Sequence, residues 1–74
     1  MTRLPTLSAR KLIQALGRAG FVFDRQVGSH FILRHPTRGL TTTVPVHGKD
    51  VKRSLMKLIL KQTGLTEDAF RELL

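Results

Sequence analysis

Two β-prone segments joined by a turn sequence constrain the fold of this chain more than any other feature. Phe31 and Leu33 occupy alternate positions of the segment 29–34, and the segment 41–46 is β-branched apart from Pro45. The residues between them, Pro-Thr-Arg-Gly at 36–39, have the composition of a turn. Together they predict a β-hairpin with a four-residue loop. Because proline cannot donate to a strand ladder, the second strand is expected to be an edge strand or to end at Pro45.

The loop length sets the register of this hairpin, with His35 facing Leu40. The predicted cross-strand pairs are Phe31 with Val44, Leu33 with Thr42, and His30 with Pro45. Side chains alternate between the two faces of a sheet with a period of two. One face is then predicted to carry Phe31, Leu33, Leu40, Val44 and Val46, and the other His30, Ile32, Arg34, Thr41, Thr43 and His47.

The segments on either side of the hairpin have helical spacing. A first helix is predicted over 8–19, with Ser8 as its N-cap and Gly20 just past its end. A short strand over 21–23 follows and is expected to end at 24–26, with Gly28 in a turn or bulge. A second helix is predicted over 54–63, ended by Gly64. Its inward residues are predicted to be Leu55, Leu58 and Ile59, with Met56 and Leu60 on the flank.

A third, short helix is predicted after Thr66, which suits an N-cap, with Ala69, Phe70, Leu73 and Leu74 on its apolar face. The predicted order is α-β-β-β-α-α. We expect one α+β domain over residues 1–74, a sandwich of a three-stranded antiparallel sheet with helices on one face. All four phenylalanines are expected in the core, which argues against stacking of single-stranded bases on aromatic side chains.

The charge of the chain is strongly positive. Thirteen Lys and Arg residues oppose five Asp and Glu, for a net charge of +8. Twelve of the thirteen cations precede Thr66, and only two of the carboxylates do, Asp24 and Asp50. A basic body with a mildly acidic tail favours a polyanionic partner, most simply nucleic acid. The alternative is that the charge serves solubility alone.

Cysteine is absent, which excludes a disulfide framework and a thiolate metal site and fits a reducing cytoplasm. No apolar run approaches the roughly 20 residues that a membrane helix needs, and the N-terminus lacks the apolar segment of a secretory signal. We therefore expect a soluble cytoplasmic protein with no membrane partner.

The available side chains restrict the possible enzymes. A two-metal nuclease needs a cluster of carboxylates, which this chain cannot easily supply, and Ser29 is adjacent to His30 on a strand and should point away from it. Metal-free RNA cleavage needs less, because RNA carries its own nucleophile in the 2′-hydroxyl. The protein has only to move a proton and stabilise the phosphate, and imidazole, with an ordinary pKa of about 6.5, suits proton transfer near neutral pH.

His30 is the first candidate for that role, and Gly28 just before it would let a phosphodiester backbone approach closely. His47 lies on the same predicted face and is a possible second acid or base. Each has a structural alternative: His30 as a solvated strand residue, and His47 as a turn residue. His35, at the hairpin end, is expected to be structural.

The motifs G-S-H-F-I-L-R-H-P, V-P-V-H-G-K and L-x-x-I-L-K-Q-T-G-L-T, in this order in a short basic chain, resemble the HicA-type mRNA interferase toxins of bacterial and archaeal toxin–antitoxin pairs. The resemblance extends from the opening helix to the end of the second helix. It implies a fold similar to a double-stranded RNA-binding domain and a metal-independent ribonuclease without a cofactor. It implies that His30, in the G-[ST]-H motif, is the essential histidine, and it matches His47 to the second histidine of the family.

The resemblance also implies two partners: mRNA as substrate, and a HicB-type antitoxin that neutralises the toxin by covering the site. The residues assigned here to RNA binding are Gly28, Ser29, Lys49, Lys52, Arg53, Lys57 and Lys61. Arg53 and Ser54 stand where the family often has Gly-Thr; Ser54 could still cap the helix, and Arg53 could add a phosphate contact. Lys57 and Lys61 are spaced i and i+4 and could equally form the solvated face of a helix.

Two other classes of function compete with the toxin. A non-catalytic RNA-binding module of the same fold also needs basic residues at a helix end. An interaction protein could use a basic surface to bind an acidic partner. Cleavage of RNA, and its dependence on His30, separates the toxin from both.

Overall fold

A computed structural model describes residues 4, 6–46, 48 and 50–74 of the chain. The elements in chain order are β1 (Leu7–Ser8), α1 (Ala9–Arg18), β2 (Val22–Val27), β3 (His30–Arg34), β4 (Thr41–Pro45), β5 (Asp50–Val51), α2 (Arg53–Thr63) and α3 (Glu67–Glu72). Strands β2, β3 and β4 form an antiparallel sheet in that order, and the helices pack on one side of it. The predicted α+β sandwich, with a fold like a double-stranded RNA-binding domain, is confirmed.

Helix α1 begins and ends as its sequence predicts. The Ser8 side chain accepts a hydrogen bond from the Lys11 backbone N–H at 3.2 Å. Past the last turn, Gly20 has a φ of +101°, and the Phe21 N–H donates to the Leu16 carbonyl at 3.0 Å. A left-handed glycine followed by this bond satisfies a helix carbonyl that would otherwise be free. Helix α2 ends in the same way at Gly64.

The β3–β4 hairpin has the predicted register. His30 pairs with Pro45, Phe31 with Val44, and Leu33 with Thr42. The strand β4 ends at Pro45 and is an edge of the sheet, as its missing N–H predicts. Leu33 and Val44 on the predicted inner face are buried.

The predicted end of strand β2, at 24–26, is wrong. The strand extends to Val27, because its polar residues pair with β3 rather than forming a loop. The register shifts between Phe23 and Arg25, so Asp24 is the extra residue of a β-bulge. A bulge reverses the alternation of the residues after it. Arg25 and Val27 therefore lie on the outer face of the sheet, away from the helices.

A second, two-stranded sheet was not predicted. Strand β1 pairs with β5, with Leu7 opposite Val51 and Ser8 opposite Asp50. This pairing holds the segment before α1 against the connector that precedes α2. The connector is therefore anchored over Asp50–Val51, for which the sequence predicted no strand.

Helix α2 buries a different face from the predicted one. Met56, Ile59, Leu60 and Thr63 are buried, whereas Leu58 is 49% exposed and Leu55 is half-buried. The buried set includes Thr63, whose hydroxyl donates to the Leu60 carbonyl at 3.0 Å. The prediction considered only apolar residues, so it did not place Thr63 inward. The predicted face is therefore rotated around the helix relative to the buried face. The expected cap at Ser54 is also wrong, since Lys52 is the N-cap residue and makes no side-chain capping bond.

Helix α3 is capped by Thr66 as predicted, with its hydroxyl accepting from the Ala69 N–H at 3.0 Å. Phe70 on its apolar face is fully buried. The expectation that every phenylalanine lies in the core is wrong for Phe23, which is 55% exposed, and Phe31 is half-buried. Both lie on the inner face of the sheet, where Phe31 packs beside α1 and the Phe23 ring lies edge-on against Phe31, with 5.1 Å between the ring centroids. Among the described helices, none is long and apolar enough to cross a membrane.

Candidate functional site

A two-residue turn joins β2 to β3, since Val27 pairs directly with His30. Gly28 has a φ of +59° and Ser29 has no positive φ, which is the pattern of a type II′ turn with glycine at its first central position. A Cβ built on Gly28 would meet nothing within 4 Å, so the space above the turn is open. The Ser29 carbonyl accepts the Val46 N–H at 2.7 Å and holds the turn against the end of β4.

His30 opens β3 on the outer face of the sheet, between Val27 on one neighbouring strand and Pro45 on the other. Its side chain is exposed. It makes no hydrogen bond, ion pair or ring contact with any residue in the described ranges. Both ring nitrogens are therefore accessible to a substrate, and imidazole can give or take a proton at either.

Two arginines share the outer face with His30. Arg25 lies opposite Ile32, and Arg34 is on β3 itself, and both are exposed. Arg25 pairs with Asp24 at 2.6 Å, while Arg34 makes no ion pair with a described carboxylate. The sequence does not indicate Arg25 for this face, because the bulge at Asp24 places it there and no local pattern predicts the bulge.

Lys52 and Arg53 lie at the start of α2, and both are exposed. Helix α2 runs back along β4, because Gln62 near its end accepts the Thr42 hydroxyl at 2.9 Å. Its start therefore lies toward the Pro45 end of β4, the end that carries His30. Arg53 has a structural partner as well, since its Nε donates to the Leu4 carbonyl at 2.8 Å.

Lys57 and Lys61 lie farther along α2, where they line a shallow groove with the start of α3. Lys61 adjoins Gln62, which packs at the level of Thr42, roughly 10 Å along β4 from Pro45 at about 3.4 Å per residue. The two lysines also belong to the helical layer, whereas His30 is on the opposite face of the sheet. The structure does not bring them together with His30.

His47 and Lys49 lie outside the described residues, so their predicted roles remain predictions. Among the described residues, no group of three or more His, Asp or Glu could hold a metal ion.

His35 has the structural role that the sequence predicted. Its Nδ1 accepts the Arg38 backbone N–H at 3.2 Å and lies 3.1 Å from the Thr37 hydroxyl. Its ring packs edge-on against Phe21, with 5.2 Å between the ring centroids, and closes over Gly20. The imidazole fastens the β3–β4 loop to the end of α1.

A family model described as HicA toxin of bacterial toxin-antitoxin matches residues 9–65. The match covers α1, the whole three-stranded sheet and α2, and it includes the Gly28–Ser29 turn and His30. A search of curated proteins found no match to the chain.

Proposed function

Since the chain belongs to the HicA toxins of bacterial toxin–antitoxin systems, we propose that it is a metal-independent endoribonuclease that cleaves mRNA. The proposed site is the outer face of the sheet at the β2–β3 turn. The chain itself would supply every catalytic group, without a cofactor.

In the proposed reaction, the 2′-oxygen of a ribose attacks the adjacent phosphorus while its proton passes to a base. The bond from phosphorus to the 5′-oxygen breaks, and that oxygen takes up a proton. The products are a 2′,3′-cyclic phosphate and a 5′-hydroxyl, with no water consumed. His30 would be the general base or the general acid in this exchange, and His47 would be the second of the pair.

The observation that supports this proposal best is the exposure of His30. An imidazole that only stabilised the fold would have partners, as His35 does on Phe21 and Arg38. His30 has none among the described residues, and it adjoins the open space above Gly28. A phosphodiester backbone could therefore reach the ring without moving any described side chain.

The proposed RNA-binding residues fall into two groups. Gly28, Ser29, Lys52 and Arg53 belong to the end of the molecule that carries His30. Lys49, which lies outside the described residues, is kept with this group on its sequence alone. Lys57 and Lys61 lie on the helical layer. We propose that the first group binds the RNA at the scissile phosphate. The two lysines would bind the same RNA strand where it continues over α2.

The proposed physiological setting is the bacterial cytoplasm. A HicB-type antitoxin would hold the toxin inactive there by covering the surface around His30. Release of the antitoxin would expose mRNA to cleavage.

The test is incubation of the purified chain with a long single-stranded RNA in excess EDTA. We expect internal cleavage that leaves 2′,3′-cyclic phosphate ends, and growth arrest when the chain is expressed without an antitoxin. Intact RNA that stays bound to the protein would contradict the proposal and favour a non-catalytic RNA-binding module. Cleavage that EDTA abolishes would contradict metal independence.

A further inference from the structure

Strand β2 concentrates the exposed apolar surface of the described residues. Among the described residues, five large hydrophobic side chains are strongly exposed. Three of them belong to the six-residue strand β2: Val22 at 43%, Phe23 at 55% and Val27 at 54%. Single exposed apolar residues are ordinary, but here half of one strand is apolar and exposed, with Val22 and Val27 on the outer face and Phe23 on the inner face, where its ring packs against Phe31.

The free edge of β2 adds a second feature. The strand ends the sheet order β2-β3-β4, and no backbone hydrogen bond joins its outer edge to another described residue. All six of its residues are exposed. An unpaired edge is a template for another extended chain, which alternates its side chains between both faces as β2 does. An added strand would contact all three exposed residues, since Val22 and Val27 lie on the outer face and Phe23 on the inner face.

The charges around β2 define the chemistry of that partner. Arg25, on the strand itself, and Arg34, opposite Val22 on β3, both lie on the outer face. Asp24 is the only carboxylate of the strand, and Arg25 already neutralises it. An extended segment with apolar side chains, flanked by carboxylates, complements this edge.

We propose that the antitoxin docks on the outer edge of β2 through an extended, acidic and apolar segment, with Phe23 as the anchor on one face and Val22 and Val27 on the other. The proposal rests on the proposed function, because that function supplies the partner. An edge occupied in this way explains inhibition. Val27 is the cross-strand neighbour of His30, so a segment that buries Val27 also obstructs RNA at His30.

The test measures binding of the HicB-type antitoxin encoded with the toxin to four forms of the chain: native, Phe23→Ser, Val22→Ser and Leu58→Ser. Leu58 is the matched control, since it is 49% exposed but lies on α2. We expect Phe23→Ser to weaken binding at least about tenfold, as aromatic anchors of interfaces do, and Val22→Ser about threefold. Leu58→Ser should stay within about twofold of native. Amides of β2 should exchange more slowly in the complex.

RNA cleavage by each variant, without antitoxin, shows whether it is folded and separates this proposal from the proposed function. Cleavage should stay within about twofold of native in all three variants, while inhibition by the antitoxin is weakened in Phe23→Ser and Val22→Ser and retained in Leu58→Ser. No binding by the native chain, equal weakening by Leu58→Ser, or native affinity in Phe23→Ser would overturn the docking proposal. Weaker RNA binding by Phe23→Ser, with antitoxin binding intact, would assign β2 to RNA instead. If the native chain binds the antitoxin but never cleaves RNA, weaker binding by Phe23→Ser with native binding by Leu58→Ser, and unchanged circular dichroism of both variants, would support the docking edge and refute the nuclease.

Discussion

At the scale of single residues, Gly20 shows how closely the chain is constrained around His35. A Cβ on Gly20 would lie 2.6 Å from the His35 Nε2, and the φ of +101° disfavours any L side chain. We expect Gly20→Ala to lower the free energy of unfolding by about 1–3 kcal/mol, from backbone strain and displacement of the ring. Urea denaturation measures this loss.

Gly17 provides the control for that substitution. It lies in α1, and a Cβ there would meet nothing within 4 Å. Because glycine costs about 1 kcal/mol relative to alanine in a helix, Gly17→Ala should stabilise the protein slightly. Equal effects of the two substitutions would show that His35 does not restrict the position of Gly20.

The residue scale is also where the sequence was most informative. Caps at Ser8 and Thr66 and left-handed glycines at helix ends are local devices, so their residue types identify them. The exposure of Phe23 could not be predicted in this way. It depends on how far the helices extend over the sheet, and a phenylalanine in a β-prone run is ordinarily buried.

At the scale of elements, the face that α2 buries is the feature most open to measurement. Met56 is fully buried, and Leu58 is about half exposed. We expect Met56→Ala to cost about 2–5 kcal/mol of unfolding free energy, because it leaves a cavity. Leu58→Ala should cost less than about 1 kcal/mol. A larger loss of unfolding free energy for Leu58→Ala than for Met56→Ala would indicate that α2 buries the face predicted from the sequence.

The sheet illustrates why some elements are predictable and others are not. The loop between His35 and Leu40 fixed the β3–β4 register from local residues alone. The bulge at Asp24 and the β1–β5 pairing arise from contacts between distant segments, which single-sequence patterns do not carry. Arg25 was therefore missed on the face of His30, although Arg34 was placed there correctly.

At the scale of the whole molecule, a net charge of +8 governs long-range attraction to RNA. Each phosphate neutralised on a single strand contributes a slope of about −0.7 to the logarithm of affinity against the logarithm of salt concentration. With about three to five such contacts, RNA affinity should fall roughly 20- to 130-fold between 50 and 200 mM salt. Filter binding with the His30→Ala variant avoids cleavage during the measurement. An affinity independent of salt would refute phosphate-dominated binding.

The arrangement of that charge follows from the two layers. The sheet presents His30, Arg25 and Arg34 on one side, and α2 presents Lys57 and Lys61 on the other. The sequence identified the residues of both groups except Arg25, but it could not show that the sheet lies between them. RNA that contacts both groups must pass around an end or an edge of the sheet, and the start of α2, with Lys52 and Arg53, lies at the end that carries His30.

The most direct test of the account compares RNA cleavage rates in EDTA for the native chain and for His30→Ala, with Thr43→Ala as a control on the same exposed face. Loss of a general acid or base typically slows a reaction about 10²- to 10⁴-fold, and we expect a loss of that size for His30→Ala. Thr43→Ala should remain within about threefold of native. Equal cleavage by the native chain and His30→Ala would contradict the assignment of His30 and place the chemistry elsewhere.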